Sequence, residues 1–428
     1  MTNSIRFGVF GQTLIRWFIM KAQIYCPGKN SLQRFRPDRP ERYNRPEVYR
    51  TSDRSIDRKG GISLKVLESV EEIKNIKEFW NPLLKSSGVN SIFMTYEWII
   101  SWLEVFGGEG EIKVLAAYKQ GELIGLCPLC IKKRKFIFWS IWMVEFVGAS
   151  LTGRADFLLT QNKEEVMELF WDYLWEQRSR WTVIRLREIL TGSLNLSILG
   201  DLLKDRGIKH HFQTCSRALF IRLAKTWNDY LMSRSKGFRN RMQRAQRRIG
   251  KKGNFHMRDI SSAPDCWETI FDINSRGRKN THGINLFADQ QNRDFMRRVA
   301  ERFGRKGWLD MKFLFFNETP VAYQIDFSYD NKSWCFNSSF RSDYGEYHPD
   351  YVVQGYNIRE KIRQRSREVE LLPGNEPYKL CYTNNQRYHR VVYIFNKTLI
   401  SSGLRWFYAV KLTVARLAGK RKWDVPGS

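Results

Sequence analysis

The sequence predicts an α/β (α+β) protein made of two halves of similar plan. A basic, disordered arm precedes them and a basic amphipathic helix follows. Three observations carry this. Short runs rich in β-branched and aromatic residues alternate with stretches of helical periodicity. The hairpin pattern VLAAYKQGELIG (114–125) is echoed by LFFNETPVA (314–322). The 428 residues, 42% of them hydrophobic, suit two cores at roughly 100–200 residues per domain.

In the first half the pattern predicts a strand over 63–67, helices over 70–84 and 98–106, and strands over 112–118 and 123–131. Lys119-Gln120-Gly121-Glu122 is the turn between those strands. A helix over 166–178 and a strand over 182–187 follow. The second half predicts helices over 265–276 and 290–303 and strands over 309–316 and 320–329, joined by Asn317-Glu318-Thr319. A strand over 333–340, a helix over 351–365 and a strand over 369–372 complete it. A duplicated domain fits this order better than one large sheet, with the boundary between Cys215 and Lys225. The expected units are an arm (1–61), two domains (62–215 and 216–390) and a tail (391–428).

The net charge of +28, from 72 basic over 44 acidic residues, implies an anionic partner: phosphate, nucleic acid or lipid. The apolar content excludes a chain disordered throughout. No uncharged run approaches the ~18 residues of a membrane span. Seven scattered cysteines do not resemble a secreted disulfide scaffold, so a reducing cytoplasm is expected, with the inner membrane face as an alternative station. Cys127 and Cys130 form a CxxC, but no second ligand pair stands at suitable spacing, so no metal is expected.

The charge is concentrated in three places. Residues 1–60 hold thirteen Lys/Arg against five acids, and 33–59 lack apolar periodicity. Phe7 to Tyr25 is apolar but interrupted by Arg16 and Lys21, which fits an interfacial helix, or a stretch that never folds, better than a signal peptide. Residues 233–258 carry ten cations and no acid, most of them on one helical face beside Phe238, Met242, Ala245 and Ile249. That face is either simply solvated or binds an anionic substrate, RNA or membrane, with Arg239, Arg244, Arg247 and Arg248 as candidates. Val391 to Lys422 reads as one long basic helix with Trp406, Phe407 and Tyr408. It suits an anionic membrane surface or docks its apolar face on the preceding domain.

Several segments match a known family. They include FMTYEWIISWLEVFGG (93–108), GLCPL (125–129), RADFLL (154–159), IRLREI (184–189), SRSKGFRNRMQRAQRR (233–248) and INLFAD (284–289). The most specific are SSFRSDYGEYHPD (338–350) and LLPGNEPYK (371–379). Over about residues 62–395 the chain resembles the GNAT-like acetyltransferases associated with cellulose and exopolysaccharide biosynthesis, which carry two GNAT folds in tandem. It is more distantly similar to the Fem-type aminoacyl transferases. The resemblance implies acyl transfer from acetyl-CoA or another acyl-CoA to a sugar, polysaccharide or lipid-linked precursor. A transfer from aminoacyl-tRNA, or a non-catalytic membrane scaffold, is the alternative.

Such a fold needs a splayed strand pair that exposes a backbone N–H to the thioester oxygen. It also needs a helix N-terminus that holds a pyrophosphate. The strand 333–340 and the helix after it are the candidate cleft, with Phe340, Arg341, Tyr347, Pro349 and Tyr351 as cofactor-binding candidates. Two departures from the family stand there. His348-Pro349-Asp350 replaces a small residue, Pro and Gly, which sets the Asp350 carboxylate against a pyrophosphate. Arg341 replaces an acid and offers a cation in return.

Glu376, Tyr378 and Lys379 form the leading catalytic group. An acid, a phenol and an amine within four residues can serve as base, thiolate-protonating acid and anion clamp. Packing around a turn set by Pro373, Gly374 and Pro377 would explain them equally. Asp326 could orient substrate or satisfy a strand neighbour. His348 could shuttle protons or lie solvated in its loop, while Tyr344 could line the cleft or fill the core beneath it. Asp156 and Arg187 are either groove-lining residues or members of an ion pair between the domains.

Overall fold

The computed structural model describes residues 56–58, 61–136, 139–252, 254–261, 266–277, 285–374 and 376–417. Most of the expected basic arm, with Phe7–Tyr25, lies outside them. Ile56–Arg58 within that arm forms a short strand, β1, paired with β2.

Both halves start from an antiparallel meander. In the first it comprises β2 (Ile62–Leu67), β3 (Gly110–Lys119), β4 (Glu122–Phe136) and β5 (Trp139–Phe146). In the second it comprises β9 (Phe255–Asp259), β10 (Leu309–Phe316), β11 (Thr319–Tyr329) and β12 (Lys332–Phe340). Two-residue turns close two of the hairpins with positive φ at both centres: Gln120-Gly121 at 50° and 81°, and Asp330-Asn331 at 47° and 56°. Their twist matches that of the flanking strands. Each meander then crosses through a helix to a parallel strand. Lys163–Glu176 leads to β7 (Val183–Leu190), and Pro349–Arg363 leads to β13 (Glu368–Pro373). This repetition is the duplicated plan expected from the hairpins.

The two halves nevertheless build one continuous sheet, which the expectation of separate sheets did not anticipate. Its order is β1-β2-β3-β4-β5-β7-β14-β8-β13-β12-β11-β10-β9, with β6 (Leu158–Leu159) beside β4. The seam consists of β8 (His210–Arg222) and β14 (Gln386–Phe395). The last strand of the chain, β14, pairs with β7 of the first half, and β8 reaches across to β13 of the second. The expected boundary at 215/216 therefore falls inside β8.

Residues 391–395 also correct the single long helix expected from Val391. Val391, Val392, Tyr393, Ile394 and Phe395 are β-branched or aromatic, and their pairing in the sheet centre overrides the helical spacing. The helix starts at Leu399 and ends at Leu417. Likewise the predicted helix 70–84 is two helices, Val70–Lys74 and Lys77–Ser86, parted at Asn75-Ile76.

The halves share a core. Helix Tyr96–Phe106 packs on helix Gln290–Arg305, with Trp98 edge-on to Phe93 and Phe295 at 4.9 Å. Arg302 grips Glu104 through both carboxylate oxygens at 2.8 Å. Arg154, buried in the first half, donates to Glu370 of β13 at 2.8 Å.

Candidate active site

Strands β12 and β13 pair through three residues only: Lys332 with Glu368, Ser333 with Val369, and Trp334 with Glu370. Past Trp334, β12 continues along β11 to Phe340, while β13 turns to β8 and places Pro373 opposite Ala218. The strands part as a V. A bulge on β12 opposite Ile325/Asp326 and the positive φ of Leu372 (60°) bend the two arms. The first half has an equivalent parting beyond Val144 and Ile184. There it is closed by the chain itself, for Ala155 N donates to Glu188 O at 3.0 Å and Leu158–Leu159 pair with β4. The second half holds the open cleft.

Helix Pro349–Arg363 begins at its mouth. His348 caps it at φ 53°, and Pro349 occupies the first turn, where its fixed φ suits helix initiation. The cationic helix Lys236–Lys252 lies against it. Phe238, Met242 and Ala245 are buried, and Met242 Sδ fills the space a side chain at Gly355 would need (2.9 Å). This anchoring turns the opposite face outward over the helix start. Arg241, Arg244 and Arg248 there line a pocket with His348 and Tyr351. Arg248 is held by Glu346 O at 2.8 Å, and Arg241 by Cys381 Sγ at 3.6 Å. A helix N-terminus lined by three guanidinium groups can attract an anion.

The candidate residues divide on this geometry. Tyr351 joins the pocket, as do Arg244 and Arg248. Arg241, whose place in the basic run did not distinguish it, joins them. Arg239 instead donates to Arg234 O and Arg247 is exposed outside the pocket. Arg258 stands on β9, not on the helix. Arg341 is committed to Asp343 at 2.9 Å. Phe340 packs with Leu314, Val321 and Val353, and Tyr347 stacks on Phe316; both support the sheet end. Pro349 is buried as the helix start.

The GNEPYK loop closes over β13. Lys379, buried, bonds Glu376 Oε2 at 3.1 Å and Leu372 O at 3.4 Å. A side chain at Gly374 would strike both partners, at 2.6 Å for Lys379 Nζ. Lys379 and Glu376 thus brace the loop against each other. That leaves Tyr378, partly exposed, at the mouth. Burial, with the Glu376 carboxylate, the Cys335 thiol and the Asp350 carboxylate as neighbours, pushes its phenol above the ordinary range.

Asp326 lies beneath the cleft, fully buried. Burial raises its pKa, opposed by Lys312 and Lys361, and it accepts from Gln324 at 2.8 Å. Above it stands Cys335, the first β12 residue past the parting point. Gln324 (3.5 Å), Gln354 (3.7 Å) and Asn357 (3.6 Å) converge on its Sγ. These amides come from β11 and from two successive turns of the helix, a juxtaposition no local pattern announces. Asp156 is likewise buried. It accepts from Ser193 at 2.5 Å and Asn195 at 3.0 Å within its own half, and burial pushes its pKa up to about 6. Arg187, half-buried, reaches only the adjacent Glu188 at 3.4 Å.

Cys127 and Cys130 are buried in β4, and burial pushes the Cys130 thiol up to about 12. Among the described residues no group of three or more His, Cys, Asp or Glu could hold a metal ion.

Residues 236–380 match the family described as an acetyltransferase (GNAT) domain. No curated protein sequence matches the chain. The solved structure of FemX is similar at a TM-score of 0.56 and 10% identity, covering 75% of this chain and 96% of that one. A conserved protein of unknown function from Bacteroides thetaiotaomicron VPI-5482 gives 0.50 at 11% identity, covering 78% and 100%. A tandem GNAT protein from the clavulanic acid biosynthesis pathway gives 0.47 at 8% identity, covering 79% and 99%. Residues 236–380 thus carry the match to an acetyltransferase (GNAT) domain, and the chain shares its fold with FemX.

Proposed function

We propose that the second-half cleft transfers an acyl group from acetyl-CoA or another acyl-CoA to an amine or hydroxyl of a sugar, polysaccharide or lipid-linked precursor. The observation that carries this is the open V of β12 and β13 beside a helix N-terminus faced by Arg241, Arg244 and Arg248. The arginines and the helix amides suit a pyrophosphate. The thioester supplies the activated acyl group. On the side facing β13, the backbone of β12 past Trp334 has no strand partner among the described residues, and its N–H groups can donate to an acyl oxygen. Tyr378 keeps its proton at neutral pH and can give it to the thiolate as the C–S bond breaks, the acceptor's N–H or O–H proton then restoring the phenol. Glu376 stays beside Lys379 and holds the loop.

Isothermal calorimetry with acetyl-CoA tests the donor step. Heat of binding that disappears when Arg241, Arg244 and Arg248 are replaced supports it, and no binding at millimolar acetyl-CoA sinks it. A second reading, transfer from aminoacyl-tRNA, draws on the likeness to FemX and the outward cations Arg244, Arg247 and Arg248. It would appear as RNA affinity that falls steeply with salt and with charge reversal at those three residues.

A further inference from the structure

The C-terminal helix Leu399–Leu417 docks one face and leaves another bare. Inward, Leu404 and Ser401 are buried, and the helix rests on Ile141, Met143, Val183 and Phe395. Phe407 meets Phe136 edge-on at 5.2 Å, and Tyr408 meets Tyr393 at 4.6 Å. Outward, Leu399, Trp406 and Val410 stand seven and four residues apart, which places them on one stripe opposite Leu404. They are 92%, 70% and 38% exposed. Trp139, paired across the β4–β5 hairpin with Phe136, adds a second indole at 51% exposure.

The two chain segments that form this surface carry cations only, with Glu176 beside Lys397 and Glu145 paired with Arg134 as the acids near it. From Asn396 to Trp423 the sequence contains no acid and carries Lys397, Arg405, Lys411, Arg416, Lys420, Arg421 and Lys422. From Leu123 to Val144 it again contains none, and Lys133, Arg134 and Lys135 are exposed on β4. Among the described residues no helix is long and apolar enough to cross a membrane. Exposed tryptophans and aliphatics flanked mainly by cations match the boundary of an anionic bilayer, where the rings sit at headgroup depth and the cations meet lipid phosphates.

We propose that this face, formed by Leu399, Trp406 and Val410 of the helix with Lys133, Arg134, Lys135 and Trp139 of the hairpin, docks the protein on anionic phospholipid. The sheet carrying β14 is then the rigid mount of the anchor. This proposal is independent of the acyl donor.

Co-sedimentation of the full chain with phosphatidylcholine vesicles, and with vesicles also containing one-quarter phosphatidylglycerol, tests it. Binding to the anionic vesicles alone is expected, and it should weaken in high salt. Trp406→Ser with Leu399→Ser should lower the partition coefficient about tenfold, and Arg405→Glu about as much. Both changes are at exposed side chains, and circular dichroism checks the fold. Equal partitioning onto both vesicle types, or binding unchanged by both variants, overturns the proposal. Size-exclusion elution as a dimer that Trp406→Ser converts to a monomer also overturns it, by making this face a contact between copies of the chain.

Discussion

Arg154 of the first half bonds Glu370 of the second at 2.8 Å, in the last residue pair before β13 leaves β12. Glu370 also accepts from Arg387 of β14 at 2.6 Å, and Arg387 continues to Glu368 at 2.7 Å. The segment that closes the first-half cleft thereby grips the strand that opens the second. Both Arg154 and Glu370 are almost fully buried. Removing one partner of such a pair strands the other without water, at about 3–5 kcal/mol. Glu370→Gln should therefore destabilise more than Arg154→Met, because it leaves the buried Arg154 guanidinium without its carboxylate, Arg387 keeping Glu368, whereas Arg154→Met leaves a carboxylate still held by Arg387. Urea denaturation of both variants measures this, and equal or reversed losses would contradict it.

Tyr378→Phe should lower kcat about 100-fold while leaving KM for the acyl donor nearly unchanged, as expected of a lost proton donor. The direction of its pKa gives a second check. A phenol is the acid below its pKa, and this one is raised, so the wild-type rate should hold through the alkaline range in which an ordinary tyrosine loses its proton. A fall in rate beginning below pH 9 would assign the proton elsewhere.

Single alanine substitutions at Arg241, Arg244 or Arg248 should each weaken acetyl-CoA binding about tenfold, the scale of a charge-assisted hydrogen bond. Arg239→Ala and Arg247→Ala, outside the pocket, should change it little. Asp350→Asn should tighten binding about fivefold by removing a like charge. Titrations at two salt concentrations measure all of these, and the pocket assignment fails if Arg239 and Arg247 matter more than the pocket arginines.

Asp156 makes stability depend on pH. Its pKa rises from 3.8 to about 6 on folding, so the folded state favours the proton. The stabilisation is complete below the unfolded value and is lost as pH climbs through the folded one. Relative to Asp156→Asn, the wild type should lose about 2 kcal/mol between pH 4 and pH 7. Parallel pH dependence in the two proteins would show that Asp156 does not titrate in this window.

Much of the local structure was legible in order along the chain. Strand β10 lies at 309–316 as its alternation implied, and the two-residue turn at Gln120-Gly121 follows from which residues tolerate positive φ. The candidate cleft was legible through the strand-to-helix order of 333–363 and through GNEPYK. Its cationic wall was not. Arg341 is paired with Asp343, while Arg241, 133 residues before Gly374 in sequence, arrives by helix packing. Cys335 and its three amides were unreadable for the same reason, since their donors lie 11, 19 and 22 residues away along the chain.

The sequence by itself determined the α/β character, the repeated hairpin-and-crossover plan, and the three places where the positive charge gathers, because periodicity, turn chemistry and composition act over a few residues. Only the tertiary structure decided that β8 and β14 join the halves into one sheet, that the cleft stays open in one half and is filled in the other, and which arginines face it. Those outcomes rest on pairings and burial between distant segments. A strand such as 391–395 or a helix face such as Leu399–Trp406–Val410 acquires its role only from what lies beside it.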